Sequence, residues 1–162
     1  MSKTTGHGLV RVVFQLEPGA LDGCATERLW AEPVGPDRYR LRNTPFLAFD
    51  VSNEDVIFGK ERDGEIFFAG VSIRGRHSSY RIKLLANANE ATFQRYWAPM
   101  KRLGCSYEEG NVLAVDVPPS ADIYAVYELL EAGSSAGAWD FEEGHCGHLL
   151  REDEGGATRA ST

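Results

Sequence analysis

The sequence predicts an α+β fold: a small, curled or barrel-like antiparallel β lobe first, then a lobe running strand, helix, strand, strand, helix, strand. Three observations carry that expectation. Through about residue 75, short runs of alternating apolar and polar residues are separated by Gly, Pro and Asp turns, the period of half-buried strands. No convincing helical spacing interrupts them. Beyond that point two stretches place apolar residues three and four apart, and each is flanked by strand-like runs.

Val10, Val12, Phe14 and Leu16 alternate with Arg11, Val13 and Gln15 in the opening strand. Glu27–Glu32 and Arg38–Arg42 form the next pair about Gly35-Pro36-Asp37, with Tyr39 and Leu41 on one face and three arginines on the other. Val56–Glu61 and Glu65–Ile73 flank Asp63-Gly64, a strong two-residue hairpin signal. Short strands of this kind without helices imply a curled sheet or small barrel.

In the second half, Ser79–Leu85 alternates with Tyr80, Ile82 and Leu84 on one face. Asn89 is placed to cap a helix carrying Phe93, Tyr96, Trp97, Met100 and Leu103, stopped by Gly104 and kinked or weakened at Pro99. Cys105–Glu109 and Val112–Val117 form a hairpin about Gly110-Asn111. After Pro118-Pro119, Ser120 is expected to cap a second helix with Ile123, Val126, Tyr127 and Leu130 inward, closed by Gly133. Trp139–Glu143 completes the order of a ferredoxin-like lobe. The expected divisions are a flexible start over residues 1–9, a β-rich lobe over 10–75, the ferredoxin-like lobe over 76–143, and a mobile polar tail over 144–162.

A chain of 162 residues can bury a core without a disulfide or metal. Its net charge of −7 argues against general nucleic-acid binding, which draws on phosphate neutralisation. The polar opening Met1–Gly8 lacks the apolar run of a signal peptide, and no stretch approaches the roughly 20 apolar residues of a membrane span. Cys24, Cys105 and Cys146 are odd in number and scattered, so reduced thiols and a cytoplasmic location are expected.

The ordered segments Val10-Arg-Val-Val-Phe-Gln-Leu-Glu17, Glu27-Arg-Leu-Trp-Ala31, Tyr39-Arg-Leu-Arg-Asn-Thr-Pro-Phe46 and Gly75-Arg-His-Ser-Ser79 continue through Leu103-Gly-Cys105, Ala114-Val-Asp-Val-Pro-Pro119 and Trp139-Asp-Phe-Glu-Glu143. Together they resemble an uncharacterised bacterial family of small proteins built around a domain of unknown function, family 4265. The resemblance covers about Val10 to Glu143. It implies a domain extent and a bacterial origin; it carries over no activity and no catalytic residue.

The most chemically capable stretch is Arg74-Gly-Arg-His-Ser-Ser-Tyr-Arg81, between the two lobes. Its arginines suit a carboxylate or phosphate, and His77 shares a strand face with Ser79 but not Ser78. Arg74, Arg76, His77, Ser79 and Arg81 are therefore the candidate binding residues; the competing reading is a solvated connector whose arginines pair with surface acids. No residue is nominated as catalytic, and no Gly-x-Ser-x-Gly elbow or glycine-rich phosphate loop is present, so no cofactor is expected. His145, Cys146 and His148 have zinc-like spacing but need ligands from Cys24, Cys105 or His77, and no metal is expected. The adjacent acids Glu108-Glu109, Glu142-Glu143 and Glu152-Asp153-Glu154 read as solvated charge, those in strands on opposite faces.

These features point first to a non-catalytic binding or regulatory module for another protein or peptide, of an immunity or peptide-recognition type. A small enzyme working in an inter-lobe cleft around His77 is the alternative. An RNA-contacting regulator using Tyr80 and Tyr107 is the third reading, weakened by the acidic charge.

Overall fold

The computed structural model describes residues 8–17 and 25–151, which form an α+β protein of two sheets and two helices. In the first sheet β1 (Val10–Gln15), β2 (Thr26–Gly35), β3 (Arg38–Leu41), β4 (Val56–Arg62) and β5 (Glu65–Ile73) pair antiparallel in sequence order. β5 then pairs with β1 through Val12↔Ile66 and Val13↔Phe67, closing a barrel. That closing pair is parallel, which corrects the all-antiparallel expectation. The reason is parity: five strands alternating in direction leave the first and last running the same way.

Alternation along the strands fills the interior with Val10, Val12, Phe14, Leu29, Ala31, Leu41, Ile57 and Ile66, and Val51 joins them from the segment between β3 and β4. Arg11 points outward and stacks over Trp30 at 4.5 Å. The β4–β5 turn has Asp63 at φ 54° and Gly64 at φ 80°, the two left-handed positions a tight hairpin requires.

The second sheet comprises β6 (Ser78–Leu84), β7 (Ser106–Glu109), β8 (Leu113–Val117) and β9 (Trp139–His145), in the spatial order β7-β8-β6-β9 with antiparallel neighbours. Helix α1 (Glu90–Arg102) joins β6 to β7, and α2 (Ile123–Ser135) joins β8 to β9. Phe93, Trp97 and Met100 of α1 and Val126 and Leu130 of α2 pack on Tyr80, Ile82, Val115, Val117 and Trp139. Leu84, expected beside Tyr80 and Ile82, lies at the strand end and is half exposed.

Asn89 caps α1 as expected, its side chain accepting from Thr92 N–H at 2.9 Å. Pro99 falls in the last turn of α1, where it leaves the Arg95 carbonyl without its usual i+4 donor, yet the helix runs on through Arg102. The cap of α2 is Asp122, not Ser120: its carboxylate accepts from Tyr124 and Ala125 N–H. Nor does Gly133 end α2. It lies inside the helix because the Trp139 indole packs against its bare Cα, with Nε1–H donating to the Leu130 carbonyl at 2.9 Å. No helix among the described residues is long and apolar enough to cross a membrane.

β9 also runs two residues past the expected end of the lobe, and the stretch through Arg151 is packed rather than the start of a mobile tail. Local polarity suggested mobility; the hydrogen bonds made by His145, Gly147 and His148 to the rest of the fold offset the ordering entropy. Residues 1–7 and 152–162 of the expected flexible ends lie outside the described residues.

Candidate functional site

Strand alternation sends Tyr80 and Ile82 toward the helices and Ser79 and Arg81 to the opposite face of the second sheet. The segment between β3 and β4, residues 42–55, lies on that opposite face and joins the two lobes. Glu108 accepts from Thr44 N–H at 2.7 Å, and Asp50 N–H donates to the Gly144 carbonyl at 3.0 Å. Phe46 lies against Gly110, where a Cβ would collide with its ring. From the barrel side, the Glu27 carboxylate accepts the N–H groups of Phe46, Leu47 and Ala48, fixing the segment's shape.

Asp55, fully buried, is the hub of this joint. Its carboxylate accepts from Ser52 N–H at 3.0 Å, Gly75 N–H at 2.8 Å and Arg74 Nη1 at 3.1 Å. Asp50, Glu54 and Arg76 surround it with left-handed backbones at φ 68°, 72° and 68°, conformations that non-glycine residues hold only under tertiary constraint. Beside the hub, Ser52 Oγ lies 2.9 Å from His145 Nδ1 and 3.3 Å from Ser79 Oγ, and Ser79 donates to the Val51 carbonyl. Running the protons in one direction, His145 Nδ1–H donates to Ser52, Ser52 to Ser79, and Ser79 to Val51. Burial and then the nearby Arg74 charge hold His145 below the ordinary histidine range, consistent with that neutral tautomer.

The five sequence-nominated residues therefore part company. Arg74 is spent on Asp55 and on the Asp50 carbonyl at 2.6 Å. Ser79 and Arg81 are buried under the 42–55 segment instead of lining a solvated connector. Arg81 donates to the Ala48 carbonyl, stacks on Phe49 at 4.7 Å and has Glu142 3.9 Å away. Desolvation lowers its pKa, opposed by Glu142 and Glu27. His77 Nδ1–H donates to Asp116 at 2.8 Å, and that bond raises its pKa against the opposing effect of burial. Ser79 is committed to the joint and not to His77, so the permitted His77–Ser79 pairing does not form.

Arg81, though buried, borders a small cavity of about 150 Å³ with Phe141 and Glu142, its Nε and Nη1 without hydrogen-bond partners among the described residues. Arg76, the exposed one of the five that makes no ion pair among the described residues, opens onto a larger cleft, about 380 Å³ in volume, whose lining includes Pro119, Ile123, Tyr124, His148, Leu149 and Arg151. One wall is the start of α2. The other is the chain after β9, fastened where Ser78 Oγ accepts from Gly147 N–H at 2.9 Å and lies 2.6 Å from His148 Nδ1, while His148 Nε2–H donates to the Pro118 carbonyl at 2.9 Å. Gly147 has to be glycine here, since a Cβ would overlap the His77 carbonyl. Arg151 lies 4.1 Å over the Tyr124 ring, and its N–H donates to the Tyr124 hydroxyl.

His145 and His148 face different partners, and among the described residues no three His, Cys, Asp or Glu side chains converge as metal ligands. Cys24 lies outside the described residues. Tyr80 and Tyr107 pack in the helix-side aromatic cluster, Tyr80 against Tyr127 and Phe141 and Tyr107 against Phe93 and Trp97, so they offer no stacking pair on the opposite face. Glu142 and Glu143 do separate to opposite faces, one near Arg81 and the other accepting from the Tyr80 hydroxyl at 3.1 Å.

Sequence reasoning missed Asp55, Ser52, Tyr124, Leu149 and Arg151. The polar run Asp50-Val-Ser-Asn-Glu-Asp55 was a signal for the first two, being too rich in hydrogen-bonding groups for a plain linker. Nothing local marked the others, since the cleft arises from three segments distant in sequence.

No curated protein matches this chain. Among solved structures, the crystal structure of a hypothetical protein from Neisseria gonorrhoeae is similar, with a TM-score of 0.69 at 16% identity, covering 90% of this chain and 96% of that one. At that identity the likeness is one of fold. The model of a family described as a domain of unknown function, DUF4265, matches residues 27–141, and the chain belongs to that family.

Proposed function

We propose that this protein is a non-catalytic binding or regulatory module that recognises another polypeptide, with Arg76 and its cleft as the recognition site. The observation that carries the reading is the division of labour among the polar residues between the lobes. Arg74, Ser79, Arg81, Ser52 and Asp55 are consumed in joining barrel to sheet, while Arg76 is exposed at the edge of a concave, partly apolar surface. The second lobe is read as ferredoxin-like, supported by its element order and by the strand order β7-β8-β6-β9. A cytoplasmic location belongs to the same reading, supported by the free thiols of Cys105 and Cys146. Of the two versions, peptide recognition is favoured over an immunity role, because the concave surface is lined by arginines and suits an acidic partner better than a basic toxin.

The test is capture from nuclease-treated host lysate by immobilised wild type and by Arg76→Gln/Leu149→Glu. Substituting His77 or Arg81 would confound it, since both are held in the fold. A polypeptide retained by the wild type and lost by the variant supports recognition at the cleft; retention of nothing by either removes the reading.

An enzymatic alternative rests on one observation: Asp116 orients the His77 imidazole through a 2.8 Å hydrogen bond, the arrangement of a base and its orienting carboxylate. It predicts a bound substrate that perturbs the His77 ring resonances; a small-molecule screen that leaves them unmoved would end it.

A further inference from the structure

We infer that the Arg76 cleft takes a polypeptide segment presenting a carboxylate beside an apolar side chain. This rests on the binding-module reading above and adds the chemistry of the occupant. The argument begins with charge. The chain carries −7 overall, yet the charged groups at this cleft are two arginines and one carboxylate. That carboxylate, Asp122, is occupied as the α2 cap by the N–H groups of Tyr124 and Ala125, so it is partly neutralised toward a ligand.

The arginines then differ in availability. Arg28, Arg40, Arg42 and Arg74 are each paired with an acid, whereas Arg76 makes no ion pair or side-chain hydrogen bond among the described residues. Arg76 is also held in place: its backbone sits at φ 68° next to Gly75, whose N–H is bound to buried Asp55, so its stem is anchored. Arg151 is tethered through Tyr124, its guanidinium stacked on the ring. A guanidinium fork with free N–H groups matches a carboxylate bidentately.

Beside these polar groups the cleft carries an apolar patch. Leu149 is 61% exposed, the highest value among the described large hydrophobic residues, and it shares the cleft with Pro119, Ile123 and the Tyr124 ring. A solvated leucine sharing a cleft with two arginines favours a ligand that covers it while its acid meets a guanidinium. Both histidine nitrogens of His148 are already engaged, so the cleft offers cationic and apolar contacts rather than a proton-transfer group. A carboxylate adjoining a Leu, Met or Phe side chain satisfies both features, whether it is an acidic side chain or a chain terminus.

The experiment is fluorescence anisotropy on the full chain with three fluorescein-labelled peptides: one alternating Glu with Leu, one alternating Gln with Leu, and one alternating Glu with Ser. Each is used with a free and with an amidated C-terminus. The Glu/Leu peptide should bind at least tenfold more tightly than either control and weaken as salt rises. The amidated pair tells a terminal carboxylate from a side-chain one. Arg76→Gln should weaken binding about tenfold, as should Leu149→Glu, which leaves the Arg76 backbone alone; thermal melting controls for folding. Equal binding of all three peptides, or wild-type affinity in both variants, overturns the inference. If lysate capture still yields a polypeptide when the Glu/Leu peptide fails, the chemistry assigned to the occupant is wrong while the binding-module reading survives. If neither probe nor lysate yields a partner, both fall.

Discussion

Removing the Asp55 carboxylate should release the joint between the lobes, and the structure sets the size of the effect. Asp55→Ala leaves the buried Ser52 N–H and the partly buried Gly75 N–H without their acceptor. Each orphaned buried donor costs roughly 1–3 kcal/mol. The Arg74 ion pair adds no more than about 1 kcal/mol, because the arginine side chain is 43% exposed and screened by solvent. The expected loss is about 4 kcal/mol, a large share of the roughly 5–15 kcal/mol of a typical domain. Asp55→Asn keeps the shape and one carbonyl oxygen but turns an NH2 toward one of the two amides, so about 2 kcal/mol is expected. In urea, with a slope of about 2 kcal/mol per molar, the midpoints should fall by about 2 M and 1 M respectively. The Gly75 amide, which loses its acceptor, should gain hydrogen exchange in step. A midpoint shift below about 0.3 M for Asp55→Ala would refute the hub, since the two amides would then have other acceptors or the lobes would not depend on them.

Two histidines should pull stability in opposite directions with pH. The folded pKa of His77 is raised above the unfolded value near 6.5, so its contribution is full below that pH and lost as pH rises through the folded pKa. His145 is depressed, so the unfolded chain takes the proton first and stability falls as pH drops below about 6.5. Denaturant melts from pH 5 to 8 should show His145→Asn flattening the acid-side loss and His77→Gln removing the stabilisation present at low pH. The Cys105 thiol, pushed up to about 12 by burial and then by Asp116, should stay unlabelled by a disulfide reagent at pH 8 until the protein is unfolded, measured in a Cys24→Ser/Cys146→Ser background. Gly133→Ala gains about 1 kcal/mol of helix propensity but drives a methyl into the fully buried Trp139 indole. Overpacking of about 1–3 kcal/mol should win, lowering the melting temperature and shifting the tryptophan emission.

What the sequence by itself determined about this protein is whatever depends on near neighbours in the chain. Alternation in Val10–Gln15 and Ser78–Leu84, the Asp63-Gly64 turn, the Asn89 cap and the apolar spacing of both helices are local signals, because backbone geometry repeats every two or 3.6 residues whatever lies across from it. Tertiary structure decided the rest. Ser79 and Arg81 read as a polar, exposed strand start, yet a segment some 30 residues earlier covers them and turns them into core partners of Val51 and Ala48. His145 and His148 read as a tail, yet Ser52 and Ser78 order them. The cleft that singles out Arg76 is assembled from the connector before β6, the start of α2 and the chain after β9, and no periodicity within any one of them encodes the distance to the other two.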